Sequence, residues 1–360
     1  MFFGGKDITT VDIGTNSIKI VRMKKKNEEL LIQNIGKKTL PIDTIKDGEI
    51  IDVSLVTNKL EGLFNEMGFR PDNVITSVSN KNLVIRNIEV PKMSKDELKE
   101  ALKWEVEDYL PFPVEYTSID YLVVEENEDN LKVLLVAVSD KVIDSFLYPL
   151  KKLEIIPAVV NVQPMALISL LQYQGLCQDI NAIIDIGASN TSITVGDSRN
   201  IYLSRTIDTG GEEFTRLLME EKHMDYNEAE EYKRESGLEE ELSSNENSDF
   251  TVDFALSQVA GGGVDGGFLL SIANNLANEI NRSLDYYTMK NRDNPINRIF
   301  VTGGGIKLKG LKDIIEEEVE QELDIIDPFS GAVINHIDFS KEDFGVAIGL
   351  GISEVLNDES

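Results

Sequence analysis

Two short stretches carry the residue types that anion and metal chemistry requires. "TTVDIGTNSIKIV" (9–21) and "AIIDIGASNTSITV" (182–195) each run into Asp-Ile-Gly, turn through small hydroxyl and amide residues, and resume a β-rich run. Glycine at such a tip lets backbone N–H groups close on an anion without Cβ interference. Gly14, Thr15, Asn16 and Ser17 in the first stretch, and Gly187, Ser189, Asn190 and Thr191 in the second, are candidate phosphate donors. Asp12 and Asp185 are candidate Mg²⁺ ligands, acting through the waters this ion retains. Lys19 is the cation close to the first tip. Taken singly, either tip is an ordinary turn. A third segment, "RIFVTGGG" (298–305), makes the pair informative: Gly303, Gly304 and Gly305 after a buried strand permit close approach of a flat group such as adenine or ribose.

Both tips require hairpins to present them, and the alternation Ile18, Ile20 and Ile193, Val195 predicts the returning strands. The echo recurs nearly half the chain away, which predicts two similar domains. "SKDELKEALKWEVEDYL" (94–110) predicts a helix opened by a Ser94/Glu97 capping box and stopped by Pro111 and Pro113. Leu98, Leu102, Val106 and Tyr109 share its apolar stripe, and Trp104 points away from it. With strands near 116–124 and 131–138, residues from about 87 to 150 read as a small α/β insertion. Residues 219–249 are mostly acidic, with one helical pattern and then a solvated loop in "SSNENSD" (243–249). "AGGGVDGG" (260–267) reads as a linker, since it lacks the Gly-Lys-Ser/Thr ending of a P-loop. A long amphipathic helix follows, marked by Leu269, Ile272, Leu276, Ile280, Leu284 and Tyr287.

Composition sets limits. The 360 residues carry 35 Lys and Arg against 64 Asp and Glu, a net charge of −29. Such a surface repels nucleic-acid phosphates and anionic lipid, so no nucleic-acid partner is expected. A single cysteine, Cys177, excludes an internal disulfide framework and a multi-cysteine zinc site, and His223 and His336 lack metal-ligand spacing. No apolar run approaches the roughly 18 residues of a spanning helix, and "MFFGGK" is too brief for a secretory signal. A cytoplasmic protein is expected.

In order, these motifs resemble the actin/hexokinase ATPase superfamily: first phosphate tip, connecting helix "VVNVQPMALISL" (159–170), second phosphate tip, adenosine motif "FVTGGG", and second connecting helix "FGVAIGLGIS" (344–353). Within it the chain resembles the type IV pilus assembly PilM family over nearly its whole length. The most specific stretch is "IEVPKMSKDELKEALKWEVEDYLPFPVEYTSIDY" (88–121). The resemblance implies an actin-like (ribonuclease H-like) two-domain α/β ATPase fold with a small inserted α/β subdomain. Its first subdomain would span 1–86, completed by about 154–180 and 338–360, and the insertion 87–153. The second subdomain would take 181–218 plus 295–337, and a nucleoside-side helical subdomain 219–294.

The resemblance also implies ATP and Mg²⁺ as ligands. Gln163 falls where relatives orient a water, Gly210 and Gly211 where a loop closes near the phosphates, and Glu230 and Lys233 where relatives touch the nucleoside. Arg282 and Ser283 fall on a helix that approaches adenine. Asn161 stands where a carboxylate is common, which argues for slow or absent hydrolysis. The implied function is a cytoplasmic ATP-binding scaffold of the type IV pilus, or type II secretion-like, inner-membrane platform. It would dock the N-terminal cytoplasmic tail of a PilN-type membrane protein, meet other components of the machine, and touch the membrane only through its partner. Trp104 and Phe112, as large aromatics, are candidate anchors in that partner groove, with Val84, Ile85 and Arg86 beside them. A filament-forming protein similar to FtsA and a small-molecule kinase on the same core are the alternatives; the resemblance leaves an oligomer open.

Overall fold

The structure, a computed structural model, describes residues 7–26, 29–71, 73–79, 82–246, 267–334, 336 and 338–357. The first tip is a hairpin, as expected. Strands β1 (Asp7–Ile13) and β2 (Ser17–Lys26) pair antiparallel with Ile13 opposite Ile18, and β3 (Glu29–Thr39) folds back on β2. A second, short hairpin follows, β4 (Ile45–Lys46) and β5 (Glu49–Ile50). Its turn residues Asp47 and Gly48 both have positive φ, 51° and 73°, as a type I′ turn requires and Asp-Gly favours. Helix α1 (Val53–Met67) starts where Asp52 accepts from the Leu55 N–H and ends at Gly68, in the left-handed region at φ 70°. Strand β6 (Val74–Val78) then runs parallel beside β1.

The insertion comprises β7 (Val84–Pro91), α2 (Lys95–Glu107), β8 (Thr117–Glu126) and β9 (Asn130–Ser139). Its three strands pair antiparallel in the order β7-β9-β8. Helix α2 opens with the expected capping box and lays Leu98, Leu102 and Val106 on Ile88, Val90, Val133 and Leu135. The insertion expected over 87–153 stops short of that. Helix α3 (Asp140–Lys152) turns Val142, Phe146 and Leu150 into the main core and packs along α1. Its stripe at i, i+4, i+8 has no room in the insertion, whose core α2 already fills. Strand β10 (Val159–Val162) and α4 (Gln163–Tyr173) complete this stretch.

The second tip joins β11 (Asn181–Ile186) to β12 (Thr191–Gly196), and β13 (Ile201–Ile207) extends the meander. Helices α5 (Gly211–Glu221), α6 (Tyr226–Glu235), α7 (Glu239–Glu246) and α8 (Phe268–Lys290) follow. Helix α7 occupies residues that the sequence assigned to an acidic loop from Ser243 onward; "AGGGVDGG" lies outside the described residues except for Gly267. Strand β14 (Ile299–Thr302), α9 (Leu311–Val319) and β15 (Leu323–Ile325) close the second lobe. Strand β16 (Ala332–Val333) and α10 (Gly345–Asn357) then return to the first lobe, β16 beside β3 and α10 against β1 and β2.

The two main sheets share one topology. The first runs β10-β6-β1-β2-β3-β16 and the second β15-β14-β11-β12-β13, each an antiparallel three-strand meander with two parallel strands beside its first strand, and in the first sheet β16 adds a sixth strand parallel to β3. Parallel strands lie between helical layers, which accounts for the unbroken burial of β6, β11 and β14 and of β1 from Ile8 onward. Where the lobes join, α10 crosses α4 at backbone contact: a Cβ on Gly349 would run into the Ala166 carbonyl. Gly349→Val is therefore expected to lower the unfolding free energy by about 1–3 kcal/mol. The denaturant midpoint measures this, and an unchanged midpoint would show that the helices have room to separate.

Candidate functional site

Between the lobes lies a cleft of about 660 Å³, lined by both tips and by the triple glycine. The tips face each other and touch, with Thr15 Oγ1 2.8 Å from Ser189 Oγ. Each turn closes on its own backbone: Gly14 N–H donates to the Ser17 carbonyl at 3.0 Å, and Gly187 N–H to the Asn190 carbonyl at 2.9 Å. Gly303, at φ 91°, has no room for a Cβ, which would strike Asp185 Oδ1 and the Ile186 carbonyl. A larger residue there would displace the second tip's carboxylate.

Asp12 and Asp185 end their strands in equivalent places, and their surroundings differ. Asp12 accepts from Lys19 Nζ at 2.9 Å, its register partner on β2. Burial alone would lower the Lys19 ammonium, but Asp12, with Asp343 and Asp185 behind it, holds it above its ordinary value. Asp185 faces Ser192 in the matching register and has no lysine of its own. Burial, with added repulsion from Asp12 and Asp343, pushes its carboxyl up to about 6 against the pull of Lys19 and Gln163. Two acidic groups with one ammonium between them suit a divalent cation. Among the described residues no group of three or more His, Cys, Asp or Glu forms a cage, so Asp12 and Asp185 could hold a cation only with water or a ligand completing its shell.

Gln163 stands at the junction of β10 and α4, where Pro164 fixes the first helical turn. It accepts from Ser79 Oγ at 2.8 Å and donates to Asp185 Oδ2, so it joins the first lobe to the second lobe's carboxylate. Asn161 is turned aside, donating to Ser353 Oγ on α10 at 3.2 Å.

The loop at Gly210 and Gly211 is strapped to the second tip: the Gly211 and Glu212 N–H groups donate to the Gly187 and Ala188 carbonyls at 3.0 and 2.8 Å. Lys233 donates to the Gly211 carbonyl, to Thr215 Oγ1 and to Glu230 Oε1 at 3.0, 2.7 and 2.5 Å. Glu230, Lys233 and Gly211 line the cleft as expected, with Gly14 to Ser17, Lys19, Gly187, Ser189, Asn190 and Gly303 to Gly305. Four expected residues do not. Thr191 is fully buried and donates to the Thr209 carbonyl at 2.8 Å, bracing the tip from behind. Gly210 is packed against the Ala188 carbonyl and the Asn190 N–H. Arg282 pairs with Glu279 on the exposed side of α8, and Ser283 accepts from Arg205 of β13. That face of α8 looks at β13, away from the cleft.

Several lining groups carry no sequence motif. Tyr226 OH accepts from Asn16 Nδ2 at 3.1 Å, a second contact between the lobes. Asp343 holds Lys37 at 2.5 Å and Lys307 at 2.8 Å. Burial would raise the Asp343 carboxyl, and the two lysines outweigh it and hold it below the ordinary range. Burial lowers the Lys37 ammonium despite that carboxylate. Only the alternation of β3, which puts Lys37 opposite Lys19, gave a signal for any of them.

A second, smaller cavity of about 180 Å³ lies between the first lobe and the insertion, lined by Asp47, Glu49, Asn82, Phe112, Val138, Ser139 and Val142. Of the expected partner-groove residues only Phe112 is there. Ile85 is buried in the first lobe's core, Val84 packs on the insertion core, Arg86 stacks over Tyr109, and Trp104 is 75% exposed on α2 outside the cavity. The β7 alternation sends Ile85 inward, and Trp104 lies on the helix face turned to water.

The sequence matches the family model described as "Type IV pilus assembly protein PilM" over residues 10–257 and 265–353. The chain belongs to that family. It is similar to a solved structure titled "PilM-PilN type IV pilus biogenesis complex", at 22% identity and TM-score 0.81 over 97% of this chain and 98% of that one. It is also similar to ethanolamine utilization protein EutJ from Carboxydothermus hydrogenoformans, at 12% identity and TM-score 0.55 over 98% and 91% of the two chains. ADP-bound MreB5 of Spiroplasma citri follows at 13% identity and TM-score 0.52, over 98% of each chain. The fold is the mixed α/β actin-like ATPase fold. No described helix is long and apolar enough to cross a membrane.

The Asp185 environment has a measurable consequence. Its carboxyl titrates at about 6 when folded and near 3.8 when unfolded. The folded protein therefore holds this proton more tightly, and in cation-free buffer its contribution to stability falls as pH rises from about 4 through 6, by roughly 3 kcal/mol acting alone. Asp185→Asn is expected to flatten that slope and to be the more stable protein above about pH 6. Denaturation midpoints across the range check this, and a wild-type slope in the variant would show that Asp185 ionises normally.

Proposed function

We propose that this PilM-family chain is a cytoplasmic, nucleotide-binding adaptor of a type IV pilus inner-membrane platform, and that it docks the N-terminal cytoplasmic tail of a PilN-type membrane protein. The observation that carries the nucleotide half is the facing pair of tips, joined at Thr15 and Ser189 with Asp12 and Asp185 behind them. A polyphosphate between the tips meets backbone N–H groups and short hydroxyls from both lobes, and Gly303 to Gly305 leave a side-chain-free wall for the nucleoside. ATP is the nucleotide this reading assigns. Asp12 and Asp185 would hold Mg²⁺ through water, and the ion would supply charge neutralisation to the phosphates. Glu230 and Lys233, already paired, stand at the nucleoside end.

Gln163 is the candidate for orienting a water, and here both of its ends are engaged, by Ser79 and by Asp185. Asn161, where a carboxylate would be expected, is tied to α10 and supplies no base there. Turnover on this reading is slow, and the nucleotide acts chiefly as a clamp between the lobes.

The tail half rests on the family and on the cavity at Phe112, which lies between the first lobe and the insertion. Phe112, Val138 and Val142 offer apolar contact, and Asp47 and Glu49 make its rim acidic. The membrane is reached through the partner.

Calorimetric titration tests both halves. Asp12→Ala and Asp185→Ala are each expected to weaken Mg²⁺–ATP binding by about tenfold or more, a loss of at least about 1.4 kcal/mol. Intact affinity in both variants would overturn the two-tip reading. Phe112→Ala is expected to weaken the tail peptide by about tenfold while Trp104→Ala leaves it within about twofold, as for a cavity-lining anchor beside a solvent-facing neighbour. The reverse order would place the tail on α2 instead.

A further inference from the structure

The two cavities share a wall. The β4–β5 hairpin turns Ile45 and Gly48 toward the large cleft and Asp47 and Glu49 toward the smaller one. Helix α3 does the same from behind, with Phe146 on the cleft side and Val142, one turn earlier, on the other. Hairpin and helix are joined: Lys141 Nζ lies 2.7 Å from Glu49 Oε2, and the Ile50 N–H donates to Ser145 Oγ at 3.5 Å. Only a two-residue turn and one helix thus separate the nucleotide site from the proposed tail site.

The wall is also tied to the opposite lobe. Asp43, two residues before β4 and at φ 61°, accepts from Arg216 Nη2 at 3.0 Å. Arg216 sits on α5, whose first residues Gly211 and Glu212 line the cleft and donate their N–H groups to the second tip. A continuous mechanical path therefore runs from the phosphate tip through α5 and the Arg216–Asp43 pair to the hairpin. Its far end is the rim of the smaller cavity.

We propose that the β4–β5 hairpin is the element through which nucleotide and tail sense each other. A polyphosphate between the tips fixes α5, Arg216 holds Asp43, and the hairpin is held in the position in which its Asp47–Glu49 face completes the tail site. This rests on the nucleotide and tail assignments made above. Each ligand favours the same hairpin position, so each strengthens the other by the same factor. The tie is exposed, Arg216 49% and Asp43 61% at the side chain. Its loss therefore costs the fold little and acts on the coupling.

The test is a binding cycle on the full chain, using the synthetic N-terminal peptide of its PilN-type partner and the non-hydrolysable analogue Mg²⁺–AMPPNP. In the wild type, AMPPNP is expected to tighten the peptide by about fivefold or more, and the peptide to tighten AMPPNP equally. Asp43→Asn, which keeps a residue tolerant of positive φ, and Arg216→Gln should bring that factor to about one. Each separate affinity should stay within about twofold of wild type. Amide hydrogen exchange over residues 45–50 should slow with AMPPNP in the wild type and not in the variants. Coupling that survives both substitutions overturns the proposal, as does a wild type that binds both ligands independently. A wild type that binds neither removes the nucleotide and tail assignments themselves, and with them the proposal.

Discussion

Three carboxylates at the cleft floor, Asp12, Asp343 and Asp185, feel the ammonium of Lys19, and among the described groups Asp185 is the one of the three with no hydrogen-bonded ammonium of its own. Asp12 takes the Lys19 hydrogen bond, and Asp343 is satisfied by Lys37 and Lys307. Asp185 is left with an amide donor from Gln163 and a distant share of Lys19. An incompletely compensated carboxylate in a low-dielectric site is costly unless a proton or a cation joins it. The fold tolerates it because β11 is pinned on both sides, by β12 and β14, and because Gly303 leaves its oxygen room.

This imbalance arises from an imperfect duplication. The two meanders superpose in strand order, yet the register partner of Asp12 is Lys19 while that of Asp185 is Ser192. The first lobe's carboxylate thus has an ammonium from its own hairpin, and the second lobe's does not. Gln163 spans the difference from Ser79 to Asp185, which makes this contact between the lobes sensitive to the protonation of a single group.

Local features of the site were legible in the sequence and long-range ones were not. Asp-Ile-Gly tips, the triple glycine and the Ser94/Glu97 cap each depend on residues within a few positions of one another, so their geometry follows from spacing. The connecting helix at 344–353 was likewise local, and Gly349 brings it to backbone contact with Ala166. The pairings that decide chemistry at the cleft floor, Lys37 and Lys307 on Asp343, join residues far apart in the chain and leave no local mark. The same limit applied to α3, whose apolar stripe is equally compatible with either core until the occupancy of the insertion by α2 is known. Arg282 and Ser283 were placed by likeness of motif, and the rotation of α8 about its own axis sends them to β13. Ile85 shows the complementary limit: its type fits a groove wall, while its position in the alternation of β7 turns it into the core.

The return of β16 and α10 to the first lobe has a bearing on how the chain is made. Ala347, Ile348, Leu350 and Ile352 of α10 supply part of the first core, and Gly351 fits over Met23 near the start of the chain. By contrast, the sheet of the second lobe is complete once β15 has formed. During synthesis the lobe that emerges first is thus the one finished last, its sheet waiting with one apolar face uncovered until the far segment arrives. Such delayed closure exposes hydrophobic surface to other chains for the duration of translation.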